Sequence, residues 1–381
     1  METLFWILAG LIFYVYAGYP VLLWLMRVLG SDKSVLLGAL EPTVTILISA
    51  YNEVGVITEK INNSLALDYP SKKLEIIVIS DCSDDGTDEA VGALGLPNVK
   101  LLRMSDRSGK TMGLNAALKV AMGEIVVFSD ANAMYEPQSL RHMVRNFHDR
   151  TVGAVVGEST YADDKGNAQE NESLYWKYET KVKLLETGVG SVVGGDGAIY
   201  AIRKNLYRPM RADALSDFVN PIQIVMNGYR CVYEPAARSI EEATDNLEKE
   251  FRRKVRIVNR AWRALWSIPS VLNPFAYGFF AIEVISHKLL RWMVPGILIA
   301  LLLISLQLSA AGVMYGVALS AQAVLYSCAA GGYLMRKSNS MPRVFAVPYY
   351  FCLVNYASAF GIIEAFCGKT YTTWNTPRTI C

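Results

Sequence analysis

Residues Ile76 to Ala90 read IIVISDCSDDGTDEA, four β-favouring residues running into a stretch with five carboxylates and one glycine. The first acid, Asp81, stands at the strand's tip. In open α/β sheets ligands bind beyond the carboxyl ends of the strands, so a carboxylate there can accept hydrogen bonds from a ligand or hold a cation. A plain strand followed by a helix-capping loop gives the same pattern, because Ser and Asp favour N-caps and first turns. The surrounding sequence has to decide between them.

Upstream, Thr43–Ala50 (TVTILISA) is a second buried-strand pattern, followed by the turn Tyr51-Asn52-Glu53 and a helix over Val54–Leu67. Leu74–Ser80, Val99–Met104 and Glu124–Ser129 read as further strands, the last delivering Asp130, with a helix over Met112–Met122. Strands alternating with helices imply an α/β domain with a mostly parallel sheet covered on both faces. There is no GxGxxG phosphate loop, and Gly109-Lys110-Thr111 lacks the glycine five residues earlier that a GxxxxGK[ST] loop requires. This argues against a common dinucleotide fold and a P-loop ATPase. Farther on, Gly188–Arg203 is glycine-dense before turning into a strand, either a place where backbone approaches a ligand or a flexible turn. Ser216–Asn227 reads as a helix opening on Asp217, and Tyr229–Pro235 as a short strand.

The chain is 52% hydrophobic and only 19% charged, where soluble domains carry about a quarter charged residues. Three uncharged runs account for the deficit: Thr3–Met26, Trp292–Met335 and Val344–Ile363. A crossing takes roughly 20 apolar residues, which predicts one helix, then two turning near Ser309–Gly316, then one more. The expected organisation is a transmembrane helix over 1–30, the α/β domain over 40–245, amphipathic interfacial helices over 246–291, about three transmembrane helices over 292–367, and a tail over 368–381. The first run lacks the basic flank and the small-residue cleavage site of a signal peptide. Phe251–Trp266 is basic and aromatic at helical spacing, as suits a helix at a membrane surface, and Asn273–Arg291 reads as a second one. Basic residues beside the apolar runs (Arg27, Lys33, Arg252, Arg253, Lys254, Lys288, Arg291, Arg336, Lys337, Arg343) place the domain in the cytoplasm and the amino terminus outside. The expected location is the cell's inner membrane, multi-pass. A net charge of +2 and the lack of a basic patch interleaved with aromatics argue for no nucleic-acid partner. Six scattered cysteines without a CxxC, and three isolated histidines, argue against zinc.

Three acids thus stand at strand or loop ends: Asp81, Asp130 and Asp217. Asp130 with Asn132 can point two oxygens at a hard cation such as Mg²⁺ or Mn²⁺. With Glu53 and Lys110 near other strand ends, the set suits a nucleoside diphosphate. The ordered motifs VTILISAYNE, IIVISDCSDDGT, SGKTMGLNAAL, FSDANAMYEP, GGDGAIYAIRK and LSDFVNPIQIVMNGYRCVYEPAA resemble the family-2 glycosyltransferases. More narrowly, they resemble the membrane-integrated branch that includes hyaluronan, chitin and cellulose synthases. The resemblance covers Thr43 to about Ala237, and it implies a GT-A (Rossmann-like) domain inserted between transmembrane helices. It also implies roles. Ala50, Tyr51 and Glu53 would contact the donor nucleotide, Asp81 would accept the uracil N–H, and Lys110 would help hold the donor. Asp130 resembles the first residue of the DxD motif, with Asn132 where the second acid usually stands; the two would bind Mg²⁺ or Mn²⁺. Gly195, Asp196 and Gly197 would line the acceptor site, and Asp217 stands where the family has its general base. Asp84 and Asp85 are expected to shape the loop.

One departure concerns QxxRW, the motif of processive synthases. Here the stretch is KVRIVNRAWRAL, where Arg256, Arg260 and Trp262 have the right character at another spacing. They would bind diphosphate or acceptor, or simply face lipid head groups. The tail's TTWNTPR (Thr372–Arg378) is similar to the W-x-T-R gating segment of hyaluronan and chitin synthases, yet three crossings after the domain would put it on the opposite side. The leading expectation is an inverting transferase that adds sugar from a UDP-sugar to a growing bacterial-type surface polysaccharide, with membrane lipids around it. Single-sugar transfer to a polyprenyl-linked acceptor, and a catalytically inactive sugar-nucleotide-binding subunit, are the alternatives.

Overall fold

The computed structural model describes residues 1–162, 170–242, 247–336 and 341–373. The strands are β1 (Val44–Ala50), β2 (Leu74–Ser80), β3 (Val99–Arg103), β4 (Ile125–Asp130), β5 (Met134–Tyr135), β6 (Val152–Ala162), β7 (Tyr200–Arg203) and β8 (Arg230–Glu242). They form one sheet in the order β3-β2-β1-β4-β7-β6-β8-β5. The β1–β2, β1–β4, β2–β3 and β6–β8 pairs are parallel, whereas β7 pairs antiparallel with both β4 and β6, and β5 with β8. The sheet is therefore mostly parallel but mixed.

Alternation of side chains along β1, β2 and β4 builds two cores. Ile46, Ile48, Ile76, Val78 and Val127 face one layer, and Leu47, Ile77, Ile79, Val126 and Phe128 face the other. Strands buried on both faces are largely apolar, which is why β1 and β2 are legible; their buried Thr45 and Glu75 bond to each other at 2.6 Å. Helices α2 (Ile57–Leu65), α3 (Thr87–Ala93), α4 (Lys110–Val120), α5 (Ser139–Arg145), α6 (Glu170–Val189) and α7 (Ser216–Met226) complete the layers.

Four helices among the described residues are long and apolar enough to cross a membrane: α1 (Glu2–Gly30), α9 (Phe279–Leu308), α10 (Val313–Leu334) and α11 (Arg343–Phe366). Between the domain and these lies α8 (Leu247–Ser267). Its residues Val258, Ala261, Trp262 and Leu265 join a core with Phe280, Val284 and Trp292 of α9. The sequence reading ended an interfacial helix at Arg291 and began a spanning one at Trp292, but α9 is continuous. Two of its polar residues pair with α6: His287 lies 2.6 Å from Glu186 and 3.1 Å from Glu179, and Arg291 pairs with Glu179. Tyr19 of α1 donates to the same Glu186 at 2.6 Å. Paired charges of this kind let a helix keep polar residues at a buried junction.

The end of α11 packs on α8. Phe251 stacks on Tyr356 and Trp262 meets Phe366, with ring centroids 5.4 and 5.8 Å apart. Asn259 Nδ2 donates to the carbonyls of Gly361 and Lys369 at 3.3 and 3.2 Å. Thr372 then reaches Gly109, where a Cβ would collide with the Thr372 carbonyl. Of TTWNTPR, Trp374–Arg378 lie outside the described residues.

Candidate active site

Register carries the ends of β1, β2 and β4 to one edge: Ala50 lies opposite Ser80, and Ser49 opposite Asp130. Asp81 follows directly, its N–H bonded to the Ala50 carbonyl at 3.0 Å. The acids after β2 organise the loops beside them. Asp84 and Asn52 clasp each other, with Asn52 Nδ2 donating to Asp84 Oδ1 at 2.7 Å and the Asp84 N–H to Asn52 Oδ1 at 3.0 Å. Asp85 accepts from the N–H groups of Val54 and Thr87, each at 3.0 Å, and Glu53 N donates to Thr87 Oγ1 at 2.9 Å. These contacts lock the Tyr51–Val54 turn, including Asn52 at its left-handed φ of 55°. Asp84 and Asp85 therefore shape the loop, as expected.

Asp81 itself is only 2% exposed. Its Oδ1 accepts from the Ser108 N–H at 2.8 Å, and its Oδ2 from the Gly109 N–H at 3.0 Å. It thus anchors the loop that opens α4. Gly109 sits at a φ of 87°, which a side chain rarely adopts. Arg107 in this loop lies over the Tyr51 ring, 3.7 Å from its centroid. A carboxylate has about four lone-pair sites, so Asp81 keeps acceptor capacity beyond this loop.

Lys110, at the start of α4, joins the two halves of the cleft. Its Nζ pairs with Asp130 and donates to the Gly197 carbonyl at 3.2 Å. A Cβ on Gly197 would sit 3.4 Å from both Lys110 Nζ and Asp217 Oδ2, so this glycine keeps open the space between ammonium and carboxylate. The Asp217 carbonyl accepts from the Gly195 N–H at 2.6 Å, and Asp196 turns its loop by accepting from Ala198 N at 3.1 Å. Asp217 lies in the first turn of α7, whose N-cap is Leu215, with no side-chain capping bond. The carboxylate bonds to its own backbone N–H within this first turn and lies beside Lys110 at Gly197. Burial raises its pKa and Asp196 adds to this, while Lys110 and Arg260 pull the other way.

Of the α8 residues, Arg260 is buried and donates to Thr111 Oγ1 at 3.1 Å and to the Ala214 carbonyl. It braces the segment leading to Asp217, and burial lowers its pKa to about 10. Burial also lowers the pKa of Arg256, whose charge is felt by Asp130 and Tyr371. Trp262 does not reach the cleft. It is 9% exposed, with Trp266, Trp292 and Phe366 rings 5.7–6.2 Å away, because the contact between α8 and the apolar helices needs a large aromatic there.

Asn132 Nδ2 donates to Glu241 Oε2 at 3.3 Å, a bond that does not use its amide oxygen. Among the described residues no trio of His, Cys, Asp or Glu converges as a metal cage. Mg²⁺ and similar cations bound with a diphosphate take only one or two protein carboxylates, the phosphates supplying the rest. The donor set fits such an ion.

Sequence reasoning missed Arg107, Lys60 and Glu241. Burial lowers the Lys60 pKa to about 7, and its Nζ bonds to the Ala133 carbonyl beneath the Asp130–Asn132 loop. Burial, with Asp196 and Asp130, raises Glu241 to about 7. Arg107 sits beside SGK and was within reach of the motif, whereas Lys60 and Glu241 carry no local signal.

Residues 45–206 match the family model described as glycosyl transferase family 2. The chain carries a family 2 glycosyltransferase domain. The poly-beta-1,6-N-acetyl-D-glucosamine synthase of Staphylococcus aureus (strain MSSA476) is 27% identical over 220 residues, 56% of this chain and 53% of that protein. The beta-monoglucosyldiacylglycerol synthase of Trichormus variabilis is 35% identical over 149 residues, 38% of this chain and 30% of that one. The chain thus spans about half the length, or less, of these relatives. A mannosyltransferase from Pyrobaculum calidifontis, solved with GDP-Man and Mn²⁺, superposes with a TM-score of 0.73 at 23% identity, covering 96% of this chain and 99% of that one. This likeness extends the glycosyltransferase fold to the flanking helices.

Proposed function

We propose that the chain is an inverting, membrane-embedded glycosyltransferase that moves a sugar from a UDP-sugar onto a growing surface polysaccharide. The observation that carries this is Lys110, paired with Asp130 on one side and facing Asp217 across the opening at Gly197 on the other. The leaving diphosphate would lie at Asp130 and Lys110, and the acceptor at Gly195–Gly197. Asp217 would take the acceptor hydroxyl's proton as the oxygen attacks the anomeric carbon in line. One base suffices for a single displacement, unlike the carboxylate pair of glycoside hydrolases. Asp130 and Asn132 would hold Mg²⁺ or Mn²⁺, which would neutralise charge on the departing diphosphate. Tyr51, with Arg107 over its ring, and Asp81 would flank the base, and Arg256 would face the diphosphate.

The GlcNAc-polymer synthase among the relatives supports a UDP-sugar donor and a polysaccharide product. The four apolar helices, with their basic flanks, support a multi-pass protein whose domain is cytoplasmic. Transfer of one sugar to a polyprenyl-linked acceptor is the second reading, favoured by the enclosed Trp262, which offers no stacking face for an emerging chain. Incubating the detergent-purified chain with Mn²⁺ and a panel of UDP-sugars plus GDP-mannose, and measuring nucleotide release, tests the reading. Release from a UDP-sugar is expected, with long products on a gel. Release from GDP-mannose alone, or none at all, would refute it, and a single-sugar product would establish the second reading.

A further inference from the structure

Away from the cleft, a cavity of about 610 Å³ opens between α7, α8 and the end of α11. This is within the range of ligand-binding pockets, roughly 300–1,000 Å³. Its walls are of two kinds. Arg211, Asp213, Gln223 and Arg263 form the polar side, and Trp266 and Phe366 belong to the apolar side. Asp213 pairs with Arg211 at 3.2 Å and with Arg263 at 3.4 Å, so two cations share one carboxylate and one positive charge remains. Two buried polar atoms of the lining residues, Arg263 Nε and Gln223 Oε1, have no hydrogen-bond partner among the described residues. Orphaned buried polar atoms call for a missing partner, and here one is a donor with positive charge and the other an acceptor.

The position narrows the occupant. Trp266 is 50% exposed and Phe366 76% exposed. Both stand where the amphipathic α8 meets the end of an apolar helix, the level at which Trp side chains and basic residues sit on membranes. We propose that this cavity is a binding site for the head group of an anionic phospholipid. The phosphodiester would lie on the Arg211–Arg263 pair, a head-group hydroxyl would donate to Gln223, and the acyl chains would run past Trp266 and Phe366. The proposal rests on the chain being membrane-embedded. Its consequence is local, because Asp213 starts the segment that Arg260 braces and that leads to Asp217. An occupied site would steady that segment.

The test uses the full chain, delipidated in detergent and titrated with phosphatidylglycerol, phosphatidylcholine or inorganic phosphate, with bound lipid counted by native mass spectrometry. One phosphatidylglycerol should be retained with about tenfold preference over phosphatidylcholine, and Arg211→Gln with Gln223→Leu should reduce that preference to about twofold or less. Arg211→Gln alone, at an exposed position, is the variant that preserves the fold and should lower the preference by itself. Equal retention of both lipids, or a preference unchanged in the variants, would overturn the site. Full competition by millimolar inorganic phosphate would show a phosphate site and overturn the lipid assignment. A chain that stays in the aqueous phase without detergent would instead overturn the membrane reading beneath it.

Discussion

Replacing Asp217 by Asn separates catalysis from structure with little disturbance. The side chain is isosteric, α7 takes its N-cap from Leu215 rather than from Asp217, and the Gly195 N–H bonds to the Asp217 backbone carbonyl, which the change leaves in place. The Asp217 charge is desolvated and faces Lys110 and Arg260, so stability should shift within the range of about 0.5–3 kcal/mol usual for single substitutions, with the fold retained. The reaction loses its proton acceptor. General-base catalysis contributes about 10²–10⁴-fold, so kcat should fall by that factor, which is about 3–5 kcal/mol on the barrier. UDP affinity should stay within about twofold, because Lys110 and Asp130 are untouched. The wild-type pH profile provides a second check. Burial raises the Asp217 pKa, and a base works only when deprotonated. Activity should thus rise with pH through a midpoint above the ordinary aspartate value of about 3.9, and that limb should vanish in the variant. UDP release, UDP affinity and the melting temperature are to be measured on one preparation. A variant keeping about half its turnover would refute the assignment, as would lost turnover explained by a collapsed melting temperature.

Asp130→Ala removes a metal ligand and the partner of Lys110, so turnover should vanish and UDP binding should lose its dependence on Mn²⁺; UDP binding in wild type that ignores EDTA would contradict this. Asn132→Asp should tighten Mn²⁺ binding measured by calorimetry in the presence of UDP. Asp81→Asn places an amide N–H against the backbone N–H groups of Ser108 and Gly109, costing about 1–3 kcal/mol and raising KM for the UDP-sugar about 5- to 150-fold with a smaller change in kcat; an unchanged KM would reject it. Gly109→Ala combines a disfavoured φ with a collision against the Thr372 carbonyl, so it should lower activity and expose the C-terminal segment to protease.

What could be read in advance follows from the range of the interactions involved. β1 and β2 are buried on both faces and mostly apolar, their inner polar side chains Thr45 and Glu75 bonded to each other, and the acids that follow stand out. β6 is buried over residues 152–157, yet Gly153 and Gly157 interrupt its pattern. The sheet demands both, since a Cβ at Gly157 would lie 2.6 Å from the Ala237 carbonyl beside a register shift. Contacts between distant residues were hidden for another reason. Asn132 meets Glu241 across 109 positions and Lys110 reaches Gly197 across 87, and no local pattern encodes such pairs. The continuity of α9 was obscured by Glu283, His287 and Arg291, the last two of which find their partners on α6. The packing of α11 along α8, through Phe251 with Tyr356 and Trp262 with Phe366, likewise joins residues far apart in the chain.

The anomeric configuration of the product offers the most direct measurement of single displacement with Asp217 as base. Supplied with an α-configured UDP-sugar and an acceptor, the purified chain should yield a β-linked product by NMR, with turnover lost in Asp217→Asn. An α-linked product, or a β-linked product formed at an undiminished rate by Asp217→Asn, would contradict it.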